Sequence, residues 1–352
     1  MIRQGDVVEV LERKEKESYP DNSPEKLVMT CVEREEIARD FVTFWLEPQH
    51  GDTPNYLPGQ HLPITIEMNG ETVGRRYTLS SSPSRPGRLA ISVKRIDGGR
   101  VSNWLVDNLK VGSTLSCEQP DGSFHLDESI EKPLLLLSAG SGVTPMMSML
   151  RYLSDHDQIQ DVVFYHQCRS VEDIPCKEEL DALKRKHDGL TVLISLSQAP
   201  MDWFGLKGRL SLAHIKQIRD VEQRQVFVCG PDGFMQKAKN LLLKKGLPEA
   251  CYHQEAFGVG AISQQPLKQV TISVNGHLFT GDNQKTLLEQ AADAGAPIAN
   301  SCRAGLCGAC KVTVESGKVH QPDVPALQEH ERNMGVVLAC CCVPETDIEV
   351  VN

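Results

Sequence analysis

No stretch of the 352-residue chain reaches the eighteen or more consecutive apolar residues of a membrane-spanning helix. Met1–Lys26 is charged where a secretory signal would be apolar, so the sequence predicts a cytoplasmic protein with no membrane association. An excess of positive charge is also missing. Lys and Arg number 37 against 47 Asp and Glu, a net charge of −10 that argues against a nucleic-acid surface and favours protein partners with a basic docking face. Internal repeats and low-complexity tracts are absent as well, and the length predicts two or three ordinary domains.

Cysteine is not scarce, but its distribution excludes a secreted disulfide framework. Six of the twelve cysteines gather near the C-terminus, and Cys31, Cys117, Cys168, Cys176, Cys229 and Cys251 are scattered among apolar neighbours, as buried free thiols would be. Cys302, Cys307 and Cys310 stand at Cys-x4-Cys-x2-Cys, with Cys340 following after a gap of 29 residues. That is the ligand spacing of a plant-type [2Fe–2S] cluster, and Ala304, Gly305, Gly308 and Ala309 let the backbone wrap closely around inorganic sulfide. Structural zinc is the alternative. Its sites, however, come as repeated Cys pairs or pairs joined by His, whereas here three thiols crowd one loop.

The remaining chain divides by pattern. Residues 1–26 carry a mixed-charge run and then Pro20 and Pro24, a solvated leader. Residues 27–128 alternate with period two (Leu27, Met29, Cys31; Val42, Phe44, Leu46; Leu62, Ile64, Ile66; Leu89, Ile91, Val93), with an Asn69-Gly70 turn, which predicts a small antiparallel β-barrel. Residues 129–257 begin with the continuous apolar run Leu134–Leu137 and a glycine-rich turn. Further strands at Val162–Tyr165, Leu190–Leu196 and Val226–Cys229 alternate with helical stretches near Leu180–Leu183, Leu212–Ile218 and Phe234–Lys245, a doubly wound α/β domain. Residues 258–266 are a linker by composition. Residues 267–352 hold a hairpin at Val270–Thr280 turning on Asn275-Gly276, then a helix opened by the capping box Thr286-x-x-Glu289 and stopped by Gly295 and Pro297.

Several short motifs carry chemistry. Gly140-Ser141-Gly142-Val143-Thr144-Pro145 is a strand–turn–helix whose backbone N–H groups can face a pyrophosphate, with Thr144 expected as N-cap and Pro145 as the first helical residue. Cys229-Gly230-Pro231 ends another parallel strand, where open α/β sheets gather ligands. In the barrel, Arg75-Arg76-Tyr77-Thr78-Leu79-Ser80 places a cation, an aromatic ring and hydroxyls together, and Gly99-Arg100-Val101-Ser102 precedes a helix expected to have a Ser N-cap. Each motif alone is equally compatible with ordinary turn and cap chemistry.

Together, in this order, they resemble the ferredoxin-NADP reductase superfamily, from about Leu27 to the C-terminus. Pro58-Gly59-Gln60 and Ile91-Ser92-Val93-Lys94-Arg95 contribute to the likeness, the latter being similar to the reductase part of flavohaemoglobins. Fusion to a plant-type ferredoxin, with Val337-Leu338-Ala339-Cys340 near the end, most resembles the NADH-dependent reductases of hybrid-cluster protein, while reductases of Rieske-type oxygenases that demethylate betaines are similar in architecture. The resemblance implies a β-grasp fold for the last domain and a relay from NADH through FAD and the cluster to a redox protein partner. It implies that Arg75, Tyr77, Thr78, Leu79, Ser80, Val93, Gly99, Val101 and Ser102 hold FAD, with Thr78 at flavin N5. Gly140, Gly142, Thr144, Pro145, Cys229, Gly230 and Pro231 would place the nicotinamide. Glu255 would approach the flavin, Cys302, Cys307, Cys310 and Cys340 would bind iron, and Arg303 would mark the exit for electrons. Among catalytic residues the resemblance implies Thr78, Cys229 and Glu255. A redox sensor without turnover is the reading of a different class, and the complete nicotinamide loops speak against it.

Two finer expectations follow. The loop after Leu193–Leu196, Ser197-Gln198-Ala199-Pro200-Met201-Asp202, holds no cation for a 2′-phosphate, which favours NADH over NADPH, although Lys207 and Arg209 lie a little further on. Val336-Val337-Leu338-Ala339 leading into Cys340, with Pro344 four residues beyond, resembles the plant-type ferredoxin pattern, which implies Cys340 as the fourth ligand. In an extended segment Cys341 would turn away from iron and Cys342 would lie a pleat beyond.

Overall fold

Period-two alternation from Leu27 produces strands because one face of each can be buried while the other stays wet. In a computed structural model of the chain these are β1 (Leu27–Ala38), β2 (Phe41–Pro48), β3 (His61–Met68), β4 (Glu71–Thr78), β5 (Leu89–Lys94) and β6 (Thr114–Cys117), with helix α1 (Arg100–Asn108) between the last two. The structure describes residues 27–68, 71–127, 130–255, 268–283, 285–300, 305, 308–322, 324 and 326–351. The leader, the Asn69-Gly70 turn, the Gly258–Pro266 linker and Cys302, Arg303 and Cys307 lie outside them. The strands form an antiparallel sheet in the order β4-β3-β6-β1-β2-β5. It curls toward closure through a bridge between Leu79 and Ile91 and a bond from the Ser80 N–H to the Ala90 carbonyl of 2.8 Å. Met29, Phe44, Leu62, Ile91 and Leu105 fill the barrel and are fully buried.

The second unit runs β7 (Leu134–Ala139), α2 (Val143–Asp155), β8 (Val162–Cys168), α3 (Lys177–Lys186), β9 (Leu190–Leu196), β10 (Leu206–Lys207), α4 (Leu212–Ile215), β11 (Gln225–Cys229), α5 (Asp232–Lys244) and β12 (Tyr252–Glu255). Its sheet is parallel, in the order β10-β9-β8-β7-β11-β12. Leu134–Leu137 needs apolar cover on both faces. Leu134 and Leu136 meet Met146, Leu150 and Leu153 of α2, and Leu135 and Leu137 meet Phe234, Ala238 and Leu242 of α5. Burying each such large side chain is worth about 1.5–3 kcal/mol, which fixes the helices on their faces. Because the chain moves outward from β7 in both directions, the sheet has a topological switch point between β7 and β11, where such folds open a ligand crevice.

The third unit has β13 (Gln269–Val274), β14 (His277–Asp282), α6 (Leu287–Asp293), β15 (Lys311–Ser316), β16 (Val319–His320), α7 (Glu329–Asn333), β17 (Val336–Leu338), β18 (Val343–Pro344) and β19 (Ile348–Val351). A mixed sheet in the order β14-β13-β19-β15-β17 packs on α6 in the β-grasp manner, with β16 and β18 as a separate ribbon. The capping box is formed: Thr286 Oγ1 accepts from the Glu289 N–H, and the Glu289 carboxylate accepts from the Thr286 N–H at 3.1 Å.

Three local expectations are corrected. A 3₁₀ turn over Gly140–Gly142 starts α2 early, so Gly142 is its N-cap and Thr144 lies inside the first turn, donating to the Ser141 carbonyl at 3.1 Å. Gly99, not Ser102, caps α1. The helix expected over Leu212–Ile218 is a single turn, Leu212–Ile215. Among the described residues no helix is long and apolar enough to cross a membrane.

Barrel and α/β unit are tied by buried polar contacts. The Ser148 hydroxyl donates to the Ser81 carbonyl at 2.7 Å, and Arg151 donates to the Ser80 carbonyl while forming a forked pair with Glu179.

Candidate functional site

The site is built where the end of β4 meets the switch point. On β4, Arg75 donates to the Gly74 carbonyl at 2.8 Å, and its charge reaches Tyr77, whose phenol burial pushes well up. Thr78 is next, 3 % exposed, and its Oγ1 has no hydrogen-bond partner. Leu79 and Val93 turn into the barrel core, and the Ser80 hydroxyl is committed to Ser92 at 2.8 Å. From these last three residues only the backbone is left for a ligand. Gly99, Val101 and Ser102 open α1, and a Cβ at Gly99 would lie 2.5 Å from Ser102 Oγ, so that hydroxyl is turned back to the helix start.

The α/β unit brings its two loops into direct contact. A Cβ on Gly142 would stand 2.2 Å from the Cys229 carbonyl oxygen, so only glycine lets the Gly140–Pro145 turn lie against Cys229-Gly230-Pro231. Strand register continues the site across the sheet. Glu255, Cys229, Ser138 and His166 are successive partners on β12, β11, β7 and β8, a polar row on one face of a sheet that is otherwise apolar there. Burial, with help from the Glu255 charge, raises the Cys229 thiol well above its ordinary value, so it stays protonated. His166 shares a 2.9 Å hydrogen bond with Ser138, and burial drops its pKa to about 3.

Beside this row an open cleft of about 1470 Å³ is lined by Gly140, Ser197, Gln198, Arg209, Pro231 and Lys237 among others. Arg169 and Lys237 also line it, though neither belongs to a motif legible in the sequence. Arg209 was noted only as lying further on. The pairing of β10 with β9 brings it to the same cleft as Ser197 and Gln198, which therefore has a cation on that side. His61 on β3 was missed too, although Pro58-Gly59-Gln60 points directly at it. It is the register partner of Thr78, and it lies 3.6 Å from the Glu255 carboxylate.

Buried polar atoms without partners are rare in folded proteins, because each costs about 1–3 kcal/mol. Four side chains among the described residues carry one: His61, Thr78, Glu255 and His166. Thr78 is where the resemblance implies flavin N5 and Glu255 is where it implies the approaching strand, so the residues present fit a flavin ring whose edge completes their hydrogen bonds.

In the third unit Cys310 and Cys340 are buried and close enough to hydrogen-bond. The chain from Ala339 to Cys342 is a turn, with the Cys341 and Cys342 N–H groups both bonding the Leu338 carbonyl. Cys341 is therefore not turned away from Cys340, as it would be in an extended segment. Cys341 Sγ lies 3.2 Å from Cys340 Sγ, and a Cβ on Gly305 would come within 3.0 Å of it. This dense thiol set with a glycine-backed loop fits a sulfide cluster and leaves no room for bulkier neighbours.

Comparison with known proteins matches the whole arrangement. Residues 28–126 match the oxidoreductase FAD-binding domain, residues 136–240 the oxidoreductase NAD-binding domain and residues 270–345 the 2Fe-2S iron-sulfur cluster binding domain. The chain is 34% identical over 317 residues to the glycine betaine monooxygenase reductase subunit of Pseudomonas aeruginosa, covering 84% of this chain and 87% of that protein. It is 30% identical to the stachydrine N-demethylase reductase subunit of Rhizobium meliloti, covering 92% and 95%. The solved structure of phthalate dioxygenase reductase superposes with a TM-score of 0.68 at 25% identity, covering 93% of this chain and 97% of that one.

Proposed function

The chain belongs to the ferredoxin-NADP reductase superfamily, in the branch that adds a C-terminal [2Fe–2S] domain, and from that premise we propose that it is the reductase component of a Rieske-type oxygenase. It is an oxidoreductase that uses NADH, FAD and a [2Fe–2S] cluster to pass electrons to a redox protein. The names of the relatives support an oxygenase as acceptor: those described above are the reductases of a monooxygenase, an N-demethylase and a dioxygenase, which moves hybrid-cluster protein, put first by sequence resemblance, to second place. Since two of them serve monooxygenation or demethylation of betaines by name, an N-methylated ammonium compound is the substrate class assigned to the partner.

When bound, NADH would supply two electrons as hydride, FAD would divide the pair and the cluster would pass them on singly. What the protein contributes is placement. Arg75 and the start of α1 suit the flavin phosphates, Tyr77 its ring, and Thr78 its reacting edge. Gly142, Thr144, Cys229 and Pro231, on two loops that touch each other, suit the nicotinamide half of NADH. No proton-abstracting residue is required, because hydride transfer depends on how the two rings are aligned. The observation that carries this reading is that Thr78 and Glu255, each with an unpartnered buried oxygen, both neighbour His61, one as its strand partner and the other 3.6 Å from its ring.

The test is reconstitution. With NADH and an oxygenase acting on an N-methylated betaine, the chain should drive formaldehyde release, and Arg75→Ala should lower FAD occupancy. A higher kcat/KM toward hybrid-cluster protein than toward the oxygenase overturns the acceptor; full FAD occupancy in the variant removes Arg75 from the phosphate site.

A further inference from the structure

His61 belongs to none of the motifs above, yet it stands at their meeting point. As the antiparallel partner of Thr78 it projects from the same face of the barrel, with Cβ atoms about 4.5–5.5 Å apart in such pairs. Its Nδ1 faces Glu255 Oε1 at 3.6 Å, and the two side chains are 5% and 10% exposed. Nε2 of His61, Oγ1 of Thr78 and Oε2 of Glu255 are all without partners. Three side chains with an open polar atom, from β3, β4 and β12 and from two different domains, are thus neighbours through His61.

The imidazole is held there by construction. The His61 N–H bonds the Asp121 carbonyl and the Asp121 N–H bonds the His61 carbonyl, each at 2.9 Å. Gln60 ties the preceding turn to the Gly122 carbonyl at 3.1 Å. A Cβ on Gly122 would come within 2.7 Å of His61 Nδ1, so glycine at that position is what leaves space for the ring. Neither contact holds Glu255. The Glu255 carboxylate lies beside His61, and its charge bears on Cys229, which keeps its proton.

We propose, building on the functional reading above, that His61 is a positioning residue for hydride transfer: its Nδ1–H fixes the Glu255 carboxylate where the flavin and nicotinamide rings meet. With a carboxylate opposite Nδ1 the proton sits on that nitrogen, and Nε2 is left as an acceptor toward the same space. The 3.6 Å separation is longer than a hydrogen bond, as catalytic contacts often are before a site is loaded. A misplacement of a positioning group by about 1 Å can slow an aligned reaction by up to about 100-fold, so the pair has a measurable effect.

The holoenzyme is tested by stopped-flow reduction of its flavin with NADH, alongside FAD content and NADH affinity. His61→Ala should slow flavin reduction about tenfold or more, with NADH affinity within about threefold. His61→Asn keeps a donor at the Nδ1 place and should recover most of the rate, whereas His61→Gln keeps one only at the Nε2 place and should not. Adding His61→Ala to Glu255→Gln should cost little more than Glu255→Gln alone, because the two act as a unit. A wild-type rate in His61→Ala, equal behaviour of Asn and Gln, or fully multiplicative effects overturns the proposal. If His61→Ala sheds FAD, the Asn and Gln comparison still decides it. Failure of the wild-type protein to oxidise NADH with a dye overturns the functional reading instead, and is seen before any variant is made.

Discussion

Cys340 and Cys341 hold their sulfurs 3.2 Å apart, although they are neighbours in a chain that sequence patterning extends as a strand. When Cys340 is a thiolate ligand, the Cys341 thiol is the donor of that contact, and donors to cluster sulfurs raise the reduction potential. We expect Cys340→Ser to abolish the native EPR signal of the reduced cluster. Cys341→Ala should keep full iron content with a more negative midpoint in an EPR redox titration. An intact signal in Cys340→Ser, or an unchanged midpoint in Cys341→Ala, contradicts the assignment.

Arg151 should hold the flavin and nicotinamide domains together. It is 8% exposed and satisfies the Ser80 carbonyl and both oxygens of Glu179, with contacts of 2.8 Å at Nε and 2.5 Å at each of two terminal nitrogens. Arg151→Ala strands a buried carbonyl and a half-buried carboxylate, so unfolding in urea should lose about 2–3 kcal/mol. Lysine cannot reproduce the fork and should recover less than half of that. A loss under about 0.5 kcal/mol in Arg151→Ala would place the pair among ordinary surface contacts.

Much of this architecture was legible because its signals are local. Period-two strands, the apolar Leu134–Leu137 run, the Asn275-Gly276 turn and the Thr286–Glu289 box each sit within a few residues, and all formed as read. Thr144 and Ser102 are not caps because a glycine takes the cap two residues earlier in one case and three in the other, and hydroxyl preference does not say at which residue the helix begins. Nothing within β3 reveals that His61 meets Glu255, since that contact exists only once two domains have docked. The fold of Cys340–Cys342 escaped patterning for a related reason: three equal residues in a row carry no periodicity to read.

Acid should destabilise the protein through His166. Its pKa is about 3 when folded and near 6.5 when exposed, so below pH 6.5 the unfolded chain binds a proton that the folded chain refuses. Stability is fully present above that range and falls by about 1.4 kcal/mol per pH unit as pH drops toward 3. His187 and His253, also lowered mainly by burial, add to the same slope. The lowered carboxylates Asp155 and Asp173 act only below their unfolded range, near pH 4. His166→Asn keeps the bond to Ser138 and should flatten the slope of urea stability between pH 6.5 and 5; an unchanged slope would refute this.

Coenzyme choice rests on Arg209. The tip of β9 offers Ser197 and Gln198 with no cation of its own, which favours NADH, but Arg209 lies beside them in the cleft. We expect a higher kcat/KM for NADH than for NADPH in the wild type, with residual NADPH activity. Arg209→Ala should lower the NADPH value about tenfold while changing the NADH value by less than threefold, as removal of a charge-assisted phosphate contact does. Equal losses for both coenzymes would move Arg209 to the shared pyrophosphate.

Cys229 should act by shape and not by thiol chemistry. The residue is fully buried, its backbone carries the close approach of Gly142, and its side chain occupies the polar row between Glu255 and Ser138. Burial first, and then the Glu255 charge, raises the thiol well above its ordinary value. Thiolate is the reactive form, so iodoacetamide at pH 8 should leave Cys229 unmodified in the native holoenzyme, as mass spectrometry of its peptide would report. Substitution should still matter. Cys229→Ser places a smaller, more strongly solvated group among apolar neighbours, and Cys229→Ala removes the atom that spaces the ring from the strand. Both should slow flavin reduction by NADH at saturating coenzyme, by about tenfold for a small misalignment of the rings, while FAD content stays at the wild-type level. A covalent role requires a thiolate, and it makes the opposite forecast: rapid alkylation, with activity lost in step with it. That result, or full flavin-reduction rates in Cys229→Ala, would remove Cys229 from the placement of the nicotinamide.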